Sequence, residues 1–198
     1  SPSRGLGDVY KRQEPGSRLI LANGRNLVIG ATGTLDINGV PGNAVTIDAE
    51  DASSTFTFTV TGTLDAQYLV LDHMNGTGVS LNGNVNRFDH VNINSIPASG
   101  SAVTLGAAVT LPAGMDGVGF FDNGSAGPFT NINASAYSGS DVDLSNWSGI
   151  GDTANESDPN DVINWGTEAT PTLQVQNVSG SGVPPATIAK GSASTQFA

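Results

Sequence analysis

The sequence lacks cysteine, long apolar runs and any excess of basic residues. Among its 198 residues there are 7 Lys and Arg against 18 Asp and Glu, and aromatic residues make up 6%. Without cysteine there is no disulfide framework, so a buried core must stabilise the fold. No stretch of 18 consecutive apolar residues occurs, so we expect no membrane insertion. Sustained apolar spacing at i, i+3, i+4 and i+7 is also absent, which argues against long amphipathic helices.

The charge balance is acidic, with a formal net charge of −11 at pH 7. A negative surface repels phosphate backbones, so no nucleic acid partner is expected. The charge is compatible with cations, with neutral sugars, or with a solvated surface that has no partner. No signal peptide is visible, but both ends of the sequence indicate a fragment. The absence of a signal peptide therefore does not decide where the parent protein is located.

Short apolar runs, separated by polar residues, make up most of the chain. It contains 26 Gly and many Asn, Ser and Thr residues. Leu35 and Ile37 alternate with polar neighbours, as do Phe56, Phe58 and Val60. Alternation with a period of two places one set of side chains on the buried face of a β-strand. Asn-Gly pairs between the runs indicate tight turns. Together these features predict an all-β fold.

Two internal repeats suggest how the strands are arranged. The pentapeptide Thr-Gly-Thr-Leu-Asp occurs at Thr32–Asp36 and returns 29 residues later at Thr61–Asp65. A weaker repeat aligns Leu71–Met74 with Phe88–Val91, 17 residues further along the chain. Because one coil cannot bury its apolar side alone, degenerate repeats of this size favour a β-solenoid of stacked coils. A β-sandwich, which also consists of many short strands, is the alternative.

One segment carries a resemblance to a known family. Gly33–Ile47 reads Gly-Thr-Leu-Asp-Ile-Asn-Gly-Val-Pro-Gly-Asn-Ala-Val-Thr-Ile. It resembles the opening coils of right-handed parallel β-helix proteins of the pectin-lyase-like superfold, and Tyr68–Met74 and Phe88–Ile93 resemble their body coils. The resemblance covers about Leu19 to Ile132. It implies an incomplete right-handed parallel β-helix (solenoid) from a bacterial secreted or surface protein, and therefore an extracellular or cell-surface location. The same fold hosts lyases, hydrolases, adhesins and stalks, so the activity stays open.

Composition divides the chain into four segments. Residues 1–13 have no periodicity and resemble adapter-derived sequence, so we predict that they are not native to the protein. The coils are expected to span residues 14–137. Residues 138–168 are rich in Asp and Asn, have no evident strand periodicity, and resemble the cap that follows the last coil in this class. Residues 169–198 are expected to be a linker and the start of a truncated β-domain, so further domains of the same parent chain are expected partners.

Two Asp-His pairs are the main candidates for a binding site. If one coil is 17 residues long, Asp72 stacks on Asp89 and His73 stacks on His90, about 5 Å apart. Carboxylates and imidazoles in such a stack are ligands for a divalent metal ion. Arg87 beside them is the only basic residue in the body of the coils, and a lyase needs such a residue to take a proton. The alternative is that these residues lie on a solvent-facing strand and make only local hydrogen bonds.

Four acidic residues of the following segment are close enough in sequence to share a calcium ion: Asp152, Glu156, Asp158 and Asp161. Calcium takes six to eight oxygen ligands, which carboxylates and carbonyls supply. The EF-hand pattern and the Gly-Gly-x-Gly-x-Asp repeat are both absent. The alternative is a solvated loop with Asx turns, which the sequence Asp-Pro-Asn beginning at Asp158 indicates. Calcium is therefore the cofactor that this segment suggests.

No set of residues in the sequence matches a catalytic pattern, and no catalytic residue is assigned. Gly-His-Gly and Arg-Ile-Lys patterns are absent, and no spacing forces two carboxylates to face each other across a sugar. We therefore expect a structural or adhesive module of a secreted or cell-surface bacterial protein, which contacts extracellular polysaccharide. The alternative is part of a polysaccharide lyase or glycoside hydrolase whose catalytic coils lie outside this fragment.

Overall fold

A computed structural model describes residues 10–122, 129–149 and 155–169. Within them the chain is all-β, and its parallel sheets are stacked as a β-solenoid of about five turns. This confirms the predicted fold class. Parallel pairing also removes the β-sandwich alternative, because sandwich sheets are antiparallel. In the part of the chain that the structure describes, no helix is long and apolar enough to cross a membrane.

Sixteen strands follow one another along the described residues. Their bounds are β1 Tyr10–Gln13, β2 Arg18–Leu21, β3 Arg25–Ile29, β4 Thr34–Asn38, β5 Val45–Ala49, β6 Phe56–Val60, β7 Thr63–Leu71, β8 Met74–Leu81, β9 Asn84–Ile96, β10 Ser101–Leu105, β11 Gly114–Asp116, β12 Gly119–Asp122, β13 Thr130–Asn133, β14 Val142–Ser145, β15 Ser148–Gly149 and β16 Ile163–Trp165.

Each turn of the solenoid contributes strands to separate faces. The first face carries β1, β4 and the first parts of β7 and β9. The second face carries β2, β5, the remaining parts of β7 and β9, then β12 and β15. The third face carries β3, β6, β8, β10 and β13. A further sheet joins β11, β14 and β16. The strands β7 and β9 are long because each runs across a corner from the first face to the second.

The two copies of the pentapeptide occupy successive turns. Leu35 lies opposite Leu64, and Asp36 lies opposite Asp65, so the repeat marks one turn of 29 residues. The next turn is shorter, because Arg87 pairs with Asp65 at a separation of 22 residues. Turn length varies because the corner between the first two faces is built in two ways. Residues 39–44 connect β4 to β5, whereas Tyr68 alone occupies that corner within β7.

A continuous apolar core fills the interior of the solenoid. Side chains at alternating positions point inward, and the strand that contains Phe56 and Phe58 shows the pattern fully. Phe88 and Phe120 from later turns are also completely buried. Full burial of each such side chain contributes about 1.5–3 kcal/mol to the free energy of folding. The phenylalanines therefore stabilise the stack and are not available to stack on a sugar.

The glycine of the pentapeptide allows neighbouring turns to approach closely. A Cβ atom on Gly62 would lie 2.1 Å from the carbonyl oxygen of Gly30 and 2.2 Å from that of Gly33. Gly83, one turn further on, would meet the carbonyl oxygen of Gly62 at 2.1 Å. These distances are far shorter than a carbon–oxygen contact, so a side chain at these positions would force the backbones apart. The corner between the third and first faces therefore requires glycine.

Strands also occur in the two segments for which none were expected. Tyr10–Gln13 form β1, which pairs in register with β4, so the end of the segment predicted to be non-native forms part of the stack. The absence of strand periodicity predicted for residues 138–168 is wrong, because β14 pairs with both β11 and β16. In β14 the buried Val142 and Leu144 alternate with exposed residues. Residues 1–9 and 170–198, which include nearly all of the predicted linker, lie outside the described residues.

Two tryptophans pack together near the last described strand. The ring centroids of Trp147 and Trp165 are 5.2 Å apart in an edge-on arrangement, and Trp165 meets Phe120 at 5.9 Å. Trp147 is buried, and its Nε1 donates a hydrogen bond to the carbonyl oxygen of Gly166 at 3.1 Å. The indoles therefore extend the apolar interior into residues 138–168.

Candidate functional site

The predicted stacking of the two Asp-His pairs is wrong. In the register of β7 and β9, Asp89 lies opposite Gln67, and the ring of His90 stacks on that of Tyr68. The Asp72-His73 pair follows the second part of β7, whereas Asp89-His90 ends the first part of β9. The sequence repeat of 17 residues aligned the end of β7, on the second face, with the first part of β9, on the first face. The turn that brings β9 onto β7 has 22 residues instead. The structure therefore separates the predicted ligands into two groups at different corners.

The first group lies at the corner between the second and third faces. Asp48 is the penultimate residue of β5, and Asp72 occupies the equivalent position one turn later, directly after β7. Nδ1 of His73 lies 2.9 Å from Oδ1 of Asp48 and 3.3 Å from Oδ1 of Asp72. Arg18 donates a hydrogen bond to Oδ2 of Asp48 at 2.8 Å. Asp48, Asp72 and His73 form the only group of three acidic or His residues in the described ranges whose ligand atoms lie within 4.8 Å of one another.

The backbone at this corner helps to fix the cluster. His73 has a φ of 55°, in the left-handed region, which redirects the chain from the second face to the third. Its backbone N–H donates to Oδ1 of Asp72 at 2.9 Å. Asp48 is 8% exposed, whereas Asp72 and His73 are partly exposed. The cluster therefore has a buried carboxylate on one side and an opening to solvent on the other.

The second group lies at the corner between the first and second faces. The rings of Tyr68 and His90 are stacked, with centroids 4.4 Å apart and planes 23° apart. Tyr68, His90 and Gly117 occupy this corner in successive turns, with φ values of 48°, 52° and 68°. A Cβ atom on Gly117 would lie 2.2 Å from Nδ1 of His90. Gly117 therefore supplies both the left-handed backbone and the space for the imidazole.

An open groove runs beside this stack on the second face. Its volume is about 410 Å³, and the connection between β4 and β5 forms one wall through Val40 and Pro41. Tyr68, His90 and the outward residue Asn92 form the opposite side. No Asp, Glu, Lys or Arg lines the groove. The groove is therefore a mainly apolar surface with a few polar groups, on a rigid sheet.

Arg87 is held by two neighbours on the first face. Its Nε donates to Oδ1 of Asp65 at 2.7 Å, and its Nη1 donates to Oε1 of Gln67 at 2.6 Å. In the preceding turns, Asp36 lies opposite Asp65, and Arg12 lies opposite Asp36 with 3.9 Å between their charged groups. Arginines therefore flank the two stacked carboxylates at both ends. This arrangement gives Arg87 a structural role in the ladder of side chains.

Asp89 connects its turn to the next one. Its Oδ1 accepts a hydrogen bond from the backbone N–H of Asp116 at 3.0 Å. The Asp116 carboxylate in turn accepts hydrogen bonds from Ser145 and from Asn146, both at 2.7 Å. The Ser145 hydroxyl, followed by the Asn146 amide, lowers the pKa of Asp116 below its usual value. Asp89, Asp72 and Arg87 thus have different partners and do not line one cleft.

The described residues of the predicted calcium site make other interactions. Glu156 accepts a hydrogen bond from Nε1 of Trp165. Asp158 Oδ2 accepts bonds from the backbone N–H groups of Val162 and Ile163, both at 2.7 Å. Asp161 has a φ of 55° and closes the turn back to Asp158. Within the described ranges these carboxylates form no three-ligand cluster. Asp152, the fourth predicted ligand, lies outside them, so calcium at this site stays a prediction.

Sequence reasoning missed Asp48 and Arg18 as members of the first group. A signal for Asp48 was present, because Val45-Thr46-Ile47-Asp48 matches Leu69-Val70-Leu71-Asp72 in pattern, and Ile47 pairs with Leu71. For Arg18 no such signal exists, since its contact depends on the register of β2 against β5. The sequence predicted no role for Tyr68. Its stacking on His90 follows only from the register of β7 against β9.

Comparisons with protein-family models, with curated proteins and with solved structures found no match to the chain. They therefore lend no support to the pectin-lyase-like resemblance or to a bacterial origin. The structure therefore shows a parallel β-solenoid and assigns the chain to no narrower family.

Proposed function

We propose that the chain is a structural and adhesive module of a secreted or cell-surface protein, in which a rigid solenoid presents a binding groove to extracellular polysaccharide. The observation that supports this proposal most is the groove on the second face. It combines a partly exposed aromatic ring, small apolar residues and a few polar groups. Sites for uncharged ligands typically have this composition.

Rigidity follows from how the turns are connected. Strands of the inner turns, such as β7, bond to the turn below and to the turn above, and the buried side chains form a continuous apolar core. Outward polar side chains also form ladders, of which Asn38 and Gln67 on the first face are an example. A stack of this kind holds the distance between its ends, which suits a stalk or a spacer between other domains.

The groove is suited to a sugar chain rather than to a polyanion. Tyr68 offers a ring and a hydroxyl group, and Asn92 offers an exposed amide. An aromatic ring covers the apolar side of a pyranose, while amide and hydroxyl groups exchange hydrogen bonds with its hydroxyls. No Lys or Arg lines the groove to pair with uronate carboxylates. We therefore expect neutral polysaccharides to bind better than polygalacturonate.

A lyase or hydrolase whose catalytic coils lie elsewhere is the second candidate. Within the described turns, this candidate would be favoured by Asp72, Asp89 and Arg87 lining a common cleft. Instead, Arg87 bonds to Asp65, and Asp89 bonds to the backbone of Asp116. These contacts favour a role in binding or support for the present turns.

Isothermal titration with soluble laminarin, xylan, mannan and polygalacturonate tests the proposal. We expect at least one neutral polymer to bind the native chain. Tyr68→Phe should retain the affinity because the ring remains, whereas Tyr68→Ala should weaken it about tenfold, which corresponds to about 1.4 kcal/mol. Asn92→Trp should block the groove, because Asn92 is exposed and lines it.

Val28→Trp is the matched control, since it adds the same bulk at a position 54% exposed on the third face. It should leave binding unchanged. Failure of all four polymers to bind, or equal loss in the Asn92→Trp and Val28→Trp variants, would contradict carbohydrate binding in this groove. Melting temperatures of all variants, measured in parallel, separate loss of binding from loss of fold.

A further inference from the structure

We propose that Asp48, Asp72 and His73 form a binding site for a divalent transition-metal ion of the zinc type. The site lies at the corner between the second and third faces, away from the groove on the second face that Tyr68 lines. The inference is independent of the proposed function, because it concerns other residues and another ligand. Three observations support it: the spacing of the ligand atoms, the way the two carboxylates are held, and the chemistry of the set.

The spacing of the three atoms fits one ion. Nδ1 of His73 is 2.9 Å from the Asp48 oxygen and 3.3 Å from the Asp72 oxygen. Ligands at zinc–nitrogen and zinc–oxygen distances of about 2.1 Å, in tetrahedral or related geometry, are about 3.0–3.5 Å apart. Nδ1 lies close to both carboxylates, so one metal ion can contact the nitrogen and both carboxylates together. All three ligand atoms lie within 4.8 Å of one another, so side-chain rotations would bring them to bonding distance of one ion.

Both carboxylates are held by a neighbour in the manner of metal sites. Arg18 binds Oδ2 of Asp48 and leaves Oδ1 directed at His73. The backbone N–H of His73 orients the Asp72 carboxylate. Outer hydrogen bonds of this kind fix the orientation of metal ligands and raise affinity. Asp48 is nearly buried, so its carboxylate cannot turn away freely to solvent.

The donor set favours a transition metal over calcium. One imidazole nitrogen and two carboxylate oxygens are ligands that zinc, iron and cobalt accept, whereas calcium takes six to eight oxygens. The two carboxylates exceed the single Arg18 guanidinium in charge, so a net negative charge remains to attract a cation. Asp72 and His73 are partly exposed, which leaves room for water to complete the coordination shell.

The bound ion would connect two turns of the solenoid. Asp48 belongs to the turn of β5, and Asp72 and His73 belong to the turn of β7. Since an unfolded chain does not bring residues 25 positions apart together, the ion would bind the folded state preferentially. Binding should therefore raise the melting temperature as the metal concentration rises.

The test uses the full chain without a histidine tag, stripped of metal with EDTA. It is titrated with Zn²⁺, Co²⁺ and Ca²⁺ by calorimetry, and Co²⁺ ligation is also followed in the visible spectrum. We expect saturable binding of one Zn²⁺ per chain, a Co²⁺ absorption band, and weaker binding of Ca²⁺. Asp72→Asn and His73→Asn should each reduce Zn²⁺ affinity at least about tenfold. Asparagine is chosen at His73 because it tolerates a φ of 55°.

His90→Asn is the matched control, because it changes the other histidine at a φ of 52° in the corner between the first and second faces. It should leave Zn²⁺ affinity within about twofold of the native value. No saturation below about 1 mM Zn²⁺ would overturn the site, as would equal loss in the His73→Asn and His90→Asn variants. Ca²⁺ binding as tight as that of Zn²⁺ would overturn the transition-metal assignment. Variants that unfold are replaced by Asp72→Ser, which keeps the corner but removes the carboxylate.

Discussion

Single residues determine how closely the turns pack and where the chain changes direction. Tyr68 and His90 turn the chain from the first face to the second, and His73 turns it from the second to the third, all with positive φ. A left-handed conformation costs a residue with a side chain about 1–2 kcal/mol. Stacking of Tyr68 on His90, and the contact of His73 with Asp48, offset part of this cost. Residues at the corners are therefore the ones that form the two candidate sites.

Gly62→Ala tests the close approach of neighbouring turns. Its Cβ atom would lie 2.1 Å from a backbone oxygen, so two turns must separate. We expect a loss of at least about 2 kcal/mol in the free energy of unfolding, measured by urea titration. Gly30→Ala is the control, because a Cβ atom there meets no heavy atom within 4 Å. Equal losses in the two variants would contradict the proposed close contact.

Inward positions could be predicted from the sequence, whereas contacts between outward residues could not. Alternation is a local pattern, so Phe56 and Phe58 were expected in the core and are buried there. Which outward residues meet depends on turn length, and the turns differ: one has 29 residues and the next has 22. A five-residue error in the step was enough to place Asp89 on Asp72 instead of on Gln67.

Connections between strands account for the difference in turn length. The longer turn has extra residues, and the polar segment at residues 50–54 lies within it. It supplies some of them, as the bend between β5 and β6, but residues 39–44 supply more. The Pro-Gly pair at Pro41 and Gly42 is typical of a turn. The connection protrudes beyond the second face because the next turn of the solenoid has only Tyr68 at this corner. That protrusion is what creates the wall of the groove.

Buried strand positions should dominate stability, and Phe58→Ala tests this. Phe58 in β6 is fully buried between the neighbouring strands β3 and β8. Removal of its ring should cost about 3–5 kcal/mol in the free energy of unfolding. Val28→Ala in the adjacent strand β3 is the control, since Val28 is 54% exposed and should change stability by about 0.5 kcal/mol or less. Similar losses by urea titration would contradict the inward and outward assignment of these strands.

The strands in residues 138–168 could not be predicted from the sequence. Only Val142 and Leu144 alternate in β14, and aspartates surround them. Two apolar residues are too few for a reliable period, so the acidic composition dominated the prediction. The strand forms because it pairs with β11 below it and β16 above it. A neighbouring turn can thus impose strand structure that local sequence does not indicate.

Across all the turns, the register in which the strands pair determines which residues meet at both candidate sites. The pairing of β4, β7 and β9 on the first face sets how β5 and the later parts of β7 and β9 align on the second. This alignment brings Asp48 to Asp72 and His73, and it places Tyr68 beside His90. A shift of a few residues would remove both the cluster and the groove. The register of the stack is therefore the central structural claim.

Disulfide formation between engineered cysteines measures the register most directly, because the native chain has no cysteine. Gln67→Cys with Asp89→Cys places thiols at paired, partly exposed positions of adjacent strands, whose Cα atoms are about 5 Å apart, within the range for a disulfide. Asp72→Cys with Asp89→Cys is the matched control and tests the 17-residue alternative. Under mild oxidation at low protein concentration, we predict an intramolecular disulfide in the first double variant and none in the second. A disulfide in the second variant and none in the first would contradict the register, and with it both candidate sites.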